Sequence, residues 1–176
     1  MLFGVIVGFL LGVSQREAGP LPVVAASPAA TAPVAVVNEQ ELQSYRNILA
    51  SDPKNARANV ELANRLYDAG RYSEAIPYYQ QAFRVDPKNV NVSTDLATAL
   101  YYAGRADDAL AQFDTSLAID PKHGETLFNL GMVRRDARND PKGAIAAWER
   151  LLTSVPDYPE AGKVRTMIAE LKTRVS

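Results

Sequence analysis

Three near copies of one short string recur at a fixed interval: SDPKN at 51–55, VDPKN at 85–89 and IDPKH at 119–123, with Pro53, Pro87 and Pro121 spaced 34 residues apart. A period of that length marks stacked supersecondary units, each unable to bury its apolar face without a neighbour. It narrows the chain to a solenoid-type array before any other property is considered. Aligned on the prolines, two 34-residue units run 56–89 and 90–123, and a third, one residue longer, runs 124–158. The surplus residue falls in DARNDPKGA, where the other units read DAGRYSEA and YAGRADDA.

Within each unit the pattern predicts helix, tight turn, helix. Leu62, Leu96 and Leu130 precede the small residues Ala63, Ala97 and Gly131, which let a neighbouring helix approach closely. Gly70 and Gly104 stand where a helix-terminating residue needs positive φ. In the second helices Ala75, Ala109 and Ala144 share a face with Tyr79, Phe113 and Trp148, four positions on. Asp86-Pro87 and Asp120-Pro121 stop the second helix, and Asn55 and Asn89 can cap the next. The third unit has no glycine in its turn; Asp140 supplies a cap and Pro141 the first helical position. A half repeat over 39–55 sets Leu42, Tyr45 and Ile48 where a second helix has Ile76, Tyr79 and Ala82. At the other end, 159–175 carries Val164, Met167, Ile168, Leu171 and Val175 on one stripe, as a capping helix requires. The expected fold class is all-α, a solenoid of antiparallel helix pairs with a C-terminal capping helix, eight helices over 39–176.

Ahead of the repeats stands an uncharged apolar run, 1–13, containing LFGVIVGFLLGV. At ~1.5 Å per residue that string reaches roughly 18 Å, against about 30 Å of hydrocarbon core. A membrane anchor is the expectation; a cleaved signal segment, an anchor continuing upstream of Met1 and a soluble helix are the alternatives. Residues 14–38 hold Pro20, Pro22, Pro28 and Pro33, with Arg16 and Glu17 as the only charges. They read as an extended Ala/Pro-rich spacer. Anchor and spacer together put the repeats at a membrane, outside the cytoplasm.

Nineteen basic residues oppose twenty acidic ones, and no basic stripe is present, which argues against nucleic acid as a partner. The absence of cysteine removes disulfides and thiolate chemistry. His123 is the single histidine, and it occupies the position of Asn55 and Asn89, which favours a capping role over that of a general base. No glycine-rich phosphate loop follows a strand, and the acids lack metal-ligand spacing. No catalytic residue, metal, cofactor or small-molecule substrate is assigned, and the expected function is non-enzymatic.

The Leu–small pair, the helix-joining glycine, the Ala–x₃–aromatic and the terminal proline resemble the tetratricopeptide repeat, over about 38–158. Asn59 and Ser93, where a large side chain is common, and Arg134, at a usually apolar or tyrosine position, depart from it. The resemblance implies a concave groove, lined by the first helices, that holds a peptide or partner helix. Carried over by position, its lining is Arg57, Val60, Asn64, Tyr67 and Asp68; then Asn91, Thr94, Thr98, Tyr101 and Tyr102; then Glu125, Phe128, Met132, Arg135 and Asp136. Members that bind heat-shock chaperones clamp a terminal carboxylate with Lys, Asn, Asn, Lys and Arg. Here those positions read Val60, Asn64, Thr98, Phe128 and Met132, so only Asn64 is kept and a chaperone-tail receptor is disfavoured. An aromatic, mildly polar lining suits an apolar or amphipathic protein segment. The three-part organisation also resembles envelope-tethered bacterial repeat proteins, some of which assist cytochrome c maturation. The alternative to a partner-recruiting scaffold is self-association, with the groove filled by another copy or by the spacer.

Overall fold

The computed structural model describes residues 38–175; the expected anchor at 1–13 and the spacer through residue 37 lie outside the described residues. Eight helices follow one another there: α1 (Glu39–Ser51), α2 (Ala56–Asp68), α3 (Tyr72–Val85), α4 (Val90–Tyr102), α5 (Ala106–Ile119), α6 (Gly124–Asp136), α7 (Pro141–Ser154) and α8 (Ala161–Val175). The pairs α2–α3, α4–α5 and α6–α7 are the three repeats, and each second helix packs on the first helix of the next unit. α1 leans on α2 and α8 on α7, so the first and last helices cover opposite ends of the stack. None of the described helices is long and apolar enough to cross a membrane.

The joints between repeats are made by the residues that recur. Asp52, Asp86 and Asp120 end α1, α3 and α5, and three residues later a polar side chain opens the next helix. Asn55 Oδ1 accepts from Ala58 N at 2.9 Å, Asn89 Oδ1 from Val92 N at 3.2 Å, and His123 Nδ1 from Thr126 N at 3.4 Å. Each cap satisfies a backbone donor that the helix cannot. His123 is therefore a helix cap, with its other ring nitrogen 3.0 Å from Asn91 Oδ1.

Inside the first two repeats the chain turns on Gly70 (φ 71°) and Gly104 (φ 80°), where a side chain would be strained. In the third, Asn139 takes the left-handed conformation at φ 49°. Asparagine tolerates that region, and the extra residue gives the chain room for it. Asp140 Oδ1 then accepts from Gly143 N at 2.8 Å, while Asp140 Oδ2 receives Arg134 Nη1 at 3.2 Å. The arginine at a usually apolar position thus serves this longer turn.

The core runs along the stack as leucines and small residues from the first helices and aromatics from the second: Leu62, Leu96 and Leu130 against Tyr79, Phe113 and Trp148, all buried. A Cβ on Gly131 would strike the Trp148 indole, whose Nε1 donates to the Phe128 carbonyl at 3.0 Å. The departures at Asn59 and Ser93 are buried and satisfied. Asn59 Nδ2 donates to the carbonyls of Asn55 and Pro53 at 2.9 and 3.1 Å. Ser93 Oγ accepts from Gln112 Nε2 at 2.8 Å and from Ser116 Oγ at 2.7 Å. A polar group buried with its partners costs little, so small hydrogen-bonding side chains can replace bulk here.

Candidate partner-binding groove

Across the first helices of the three repeats lies an open depression of about 460 Å³, lined by Asn64, Arg65, Tyr67 and Asp68 of α2, Tyr79 of α3, Asp95, Thr98 and Tyr102 of α4, and Glu125 and Asn129 of α6. The α4 contribution, Asp95, Thr98 and Tyr102, has the i, i+3, i+7 spacing that shares one helix face. Its floor is held by one hydrogen bond within the first repeat and one between the second and third. Tyr79, buried, donates its hydroxyl to Asn64 Oδ1 at 2.7 Å, and Asn129 Nδ2 donates to Thr98 Oγ1 at 3.3 Å. At one end four tyrosines cluster. The Tyr102 ring stacks on Tyr72 at 5.0 Å between centroids, meets Tyr67 edge-on at 5.9 Å and lies 5.1 Å from Tyr101. Tyr102 is nevertheless 50 % exposed, a large ring fixed in place with one side open.

The electrostatics are one-sided. Asp68, Asp95 and Glu125 face the depression, and among the described residues no ion pair reaches any of them. The cation of the lining, Arg65, is committed to Glu41 at 2.7 Å. Burial, with the nearby Glu125 charge adding to it, pushes the Asp95 carboxyl up to about 6. Burial likewise raises the phenols of Tyr67 and Tyr79, so both stay neutral donors at physiological pH.

Of the residues expected to line the groove, the structure gathers Asn64, Tyr67, Asp68, Thr98, Tyr102 and Glu125 into it. The others stand elsewhere. Val60, Thr94 and Phe128 occupy one repeat position, and all three turn toward neighbouring elements. Thr94 is 1 % exposed, with its hydroxyl 2.6 Å from that of Thr126, and cannot meet a partner. Phe128 lies 6.0 Å from the Tyr158 ring and under the Lys163 ammonium, and Val60 packs on the core. Tyr67, Tyr101 and Arg135 share the next such position, and of these only Tyr67 reaches the depression, beside Tyr102. Tyr101 packs on the core, and Arg135 pairs with Asp136 while reaching Met167 Sδ at 3.5 Å. Met132 is half-buried against the core, and Asn91 sits exposed beside His123. The reason is rotational. At ~100° per residue the stripe through 91, 95, 98 and 102 lies about 80° from the one through 94 and 101. On α4 the second stripe is the one the following repeat covers. Asp95 and Asn129 were not expected in the groove, although their i+4 relation to Asn91 and Glu125 was available in the sequence.

Stacked antiparallel helix pairs with an open groove across their first helices define an α-solenoid. Two tetratricopeptide-repeat profiles match, over residues 66–130 and 125–158, and together they span more than half of the chain, which belongs to the tetratricopeptide-repeat family. Among solved structures it is similar to MamA, at 19 % identity over 76 % of this chain and 87 % of that one, with a TM-score of 0.63. It is also similar to the type III secretion chaperone SycD of Yersinia enterocolitica in complex with a peptide of the translocator YopD (17 % identity, 68 % of this chain, 94 % of that one, TM-score 0.63). A third is the first repeat domain of Spaghetti bound to the HSP90 peptide SRMEEVD (24 %, 69 % and 96 %, TM-score 0.58). At these identities the likeness establishes the fold. No curated protein matches the chain.

Proposed function

We propose that the protein is a non-enzymatic scaffold that holds a peptide or helix of a partner protein in the groove, with the repeats tethered to a membrane by the N-terminal apolar run and lying outside the cytoplasm. The observation that carries the binding role is the open 460 Å³ depression shared by three successive repeats, with the half-exposed Tyr102 fixed at its edge. Rigid aromatic surface loses little entropy on binding and buries much area, so a few such groups dominate affinity. Among the described residues no group of His, Cys, Asp or Glu could hold a metal ion, and His123 is occupied as a cap. The tether rests on the apolar run and the spacer alone.

Photo-crosslinking in the native cell tests the binding role. A benzoyl-phenylalanine at position 102 should give a discrete protein adduct, and one at the exposed Ala111 of α5 should not. Equal adducts from both positions, or none from position 102, would remove the groove as the binding surface. For the tether, protease added to spheroplasts should digest the repeats, and protection of the domain in sealed cells counts against it. Self-association has one observation in its favour. Ile48 is 43 % exposed beside Tyr45 at the open edge of α1, next to a depression of about 510 Å³. Light scattering over a concentration series separates the readings, because only self-association makes the apparent mass grow.

A further inference from the structure

We infer that the groove selects a partner segment bearing a lysine or arginine side chain, whose cation is held by the carboxylates of Asp68, Asp95 and Glu125 and faced by the open Tyr102 ring. This rests on the groove being the partner-binding surface and adds the chemistry of what enters it.

Three observations converge on a cation. Several acids elsewhere are neutralised within the chain, as in Arg71–Glu74, Arg105–Asp108, Arg138–Asp107 and Lys172–Glu149, while others, such as Asp86 and Asp114, stand singly on exposed surface. The three groove acids come from three different repeats and have no such partner, while the arginine nearest them is already paired to Glu41. Asp95 is also half-buried beside the like charge of Glu125, an arrangement that disfavours its ionised form in the free protein. A positive side chain would turn that repulsion into attraction without any movement of the fold. Finally, the face of an aromatic ring attracts a cation, and Tyr102 offers half its surface at the edge of the acidic depression. The amide of Asn129 and the free amide hydrogens of Asn64, whose oxygen is taken by Tyr79, remain to bond the carbonyls of an entering backbone. A segment bearing only acidic side chains would instead meet three carboxylates.

The inference carries a pH dependence. Asp95 is faced by Asp68 and Tyr67 of α2, Tyr79 of α3, Glu125 of α6, and Arg65 and Tyr102 at the margin. With its carboxyl held up to about 6, Asp95 takes a proton between pH 7.5 and 5, and capture of a cationic segment weakens over that interval.

The test is to pan a phage-displayed random dodecapeptide library on the full chain, on Asp95→Asn/Glu125→Gln and on Tyr102→Ala. Peptides from the full chain should share a lysine or arginine at a fixed place. A synthetic copy should bind at least about tenfold more weakly to the double variant, at pH 5 than at pH 7.5, and with that residue changed to glutamine; tenfold is about 1.4 kcal/mol. A consensus without lysine or arginine, lost on Tyr102→Ala, overturns the cation while leaving the groove in place. A basic consensus that survives Asp95→Asn/Glu125→Gln assigns the binding to other surface acids and overturns the inference. Recovery of no peptide, or of peptides indifferent to Tyr102→Ala and to the double variant alike, overturns the groove itself.

Discussion

Asp95 holds a carboxylate where solvation is poor and a like charge is near, and its stability effect has a definite sign. Its folded pKa, about 6, lies above the ordinary value of 3.8. Between those values the native chain keeps a proton that the unfolded chain has lost, so stability falls as pH rises through the window, and the cost is fully present above about pH 6. Asp95→Asn should therefore stabilise the protein at pH 7.5 by about 1–2 kcal/mol, with the gain gone near pH 4, as read by urea titration at both pH values. A variant no more stable than the parent at pH 7.5 would show that Asp95 is better solvated than its surroundings indicate. The capping residues at this scale were open to reading, because an asparagine or histidine two positions after a proline acts on backbone groups within its own turn. Thr94 was not, since its partner Thr126 lies a whole repeat away.

At the scale of the element, the spacing between helices α6 and α7 is set by a missing side chain. Gly131→Ala gains the better helix former but drives a Cβ into the buried Trp148 indole and disturbs its bond to Phe128. Overpacking should win, with a net loss of about 2 kcal/mol in denaturant unfolding. Gly162, in α8, provides the contrast: nothing lies within 4 Å of its would-be Cβ. Gly162→Ala should leave stability unchanged or raise it by up to about 1 kcal/mol. Similar losses at both glycines would mean that helix geometry, not the indole, is what matters. The Leu–small pair and the aromatic partner of α7 were legible from the repeat. Asn139 as the left-handed residue was not, because an inserted residue removes the alignment that located Gly70 and Gly104.

For the whole molecule, the end of the array is the exposed risk. α8 lays Val164, Ile168 and Leu171, all buried, along α7. Truncation after Pro156 strips that cover and forfeits on the order of 5 kcal/mol of apolar burial. The truncated protein should melt earlier and scatter light at concentrations where the parent does not, as an uncapped solenoid exposes its inner face. A truncated chain that melts with the parent would show that α8 decorates the stack without supporting it.

What the sequence by itself determined is what recurs within one repeat length: the period, the joints at Asp-Pro, the caps, the glycine turns and the inward leucines and aromatics. Each of these depends on contacts a few residues apart, or on a face that must be apolar whatever covers it. Only the tertiary structure decided which stripe of the first helices remains open. That choice depends on how far each repeat rotates against the next, and the rotation is set by side chains about 34 residues apart acting together, as where Thr94 meets Thr126 and Tyr67 meets Tyr102. Asn91, Thr94, Thr98 and Tyr101 look alike on paper as polar or aromatic positions of one helix. Packing buried Thr94, drew Tyr101 onto the core and left Asp95, Thr98 and Tyr102 facing the groove.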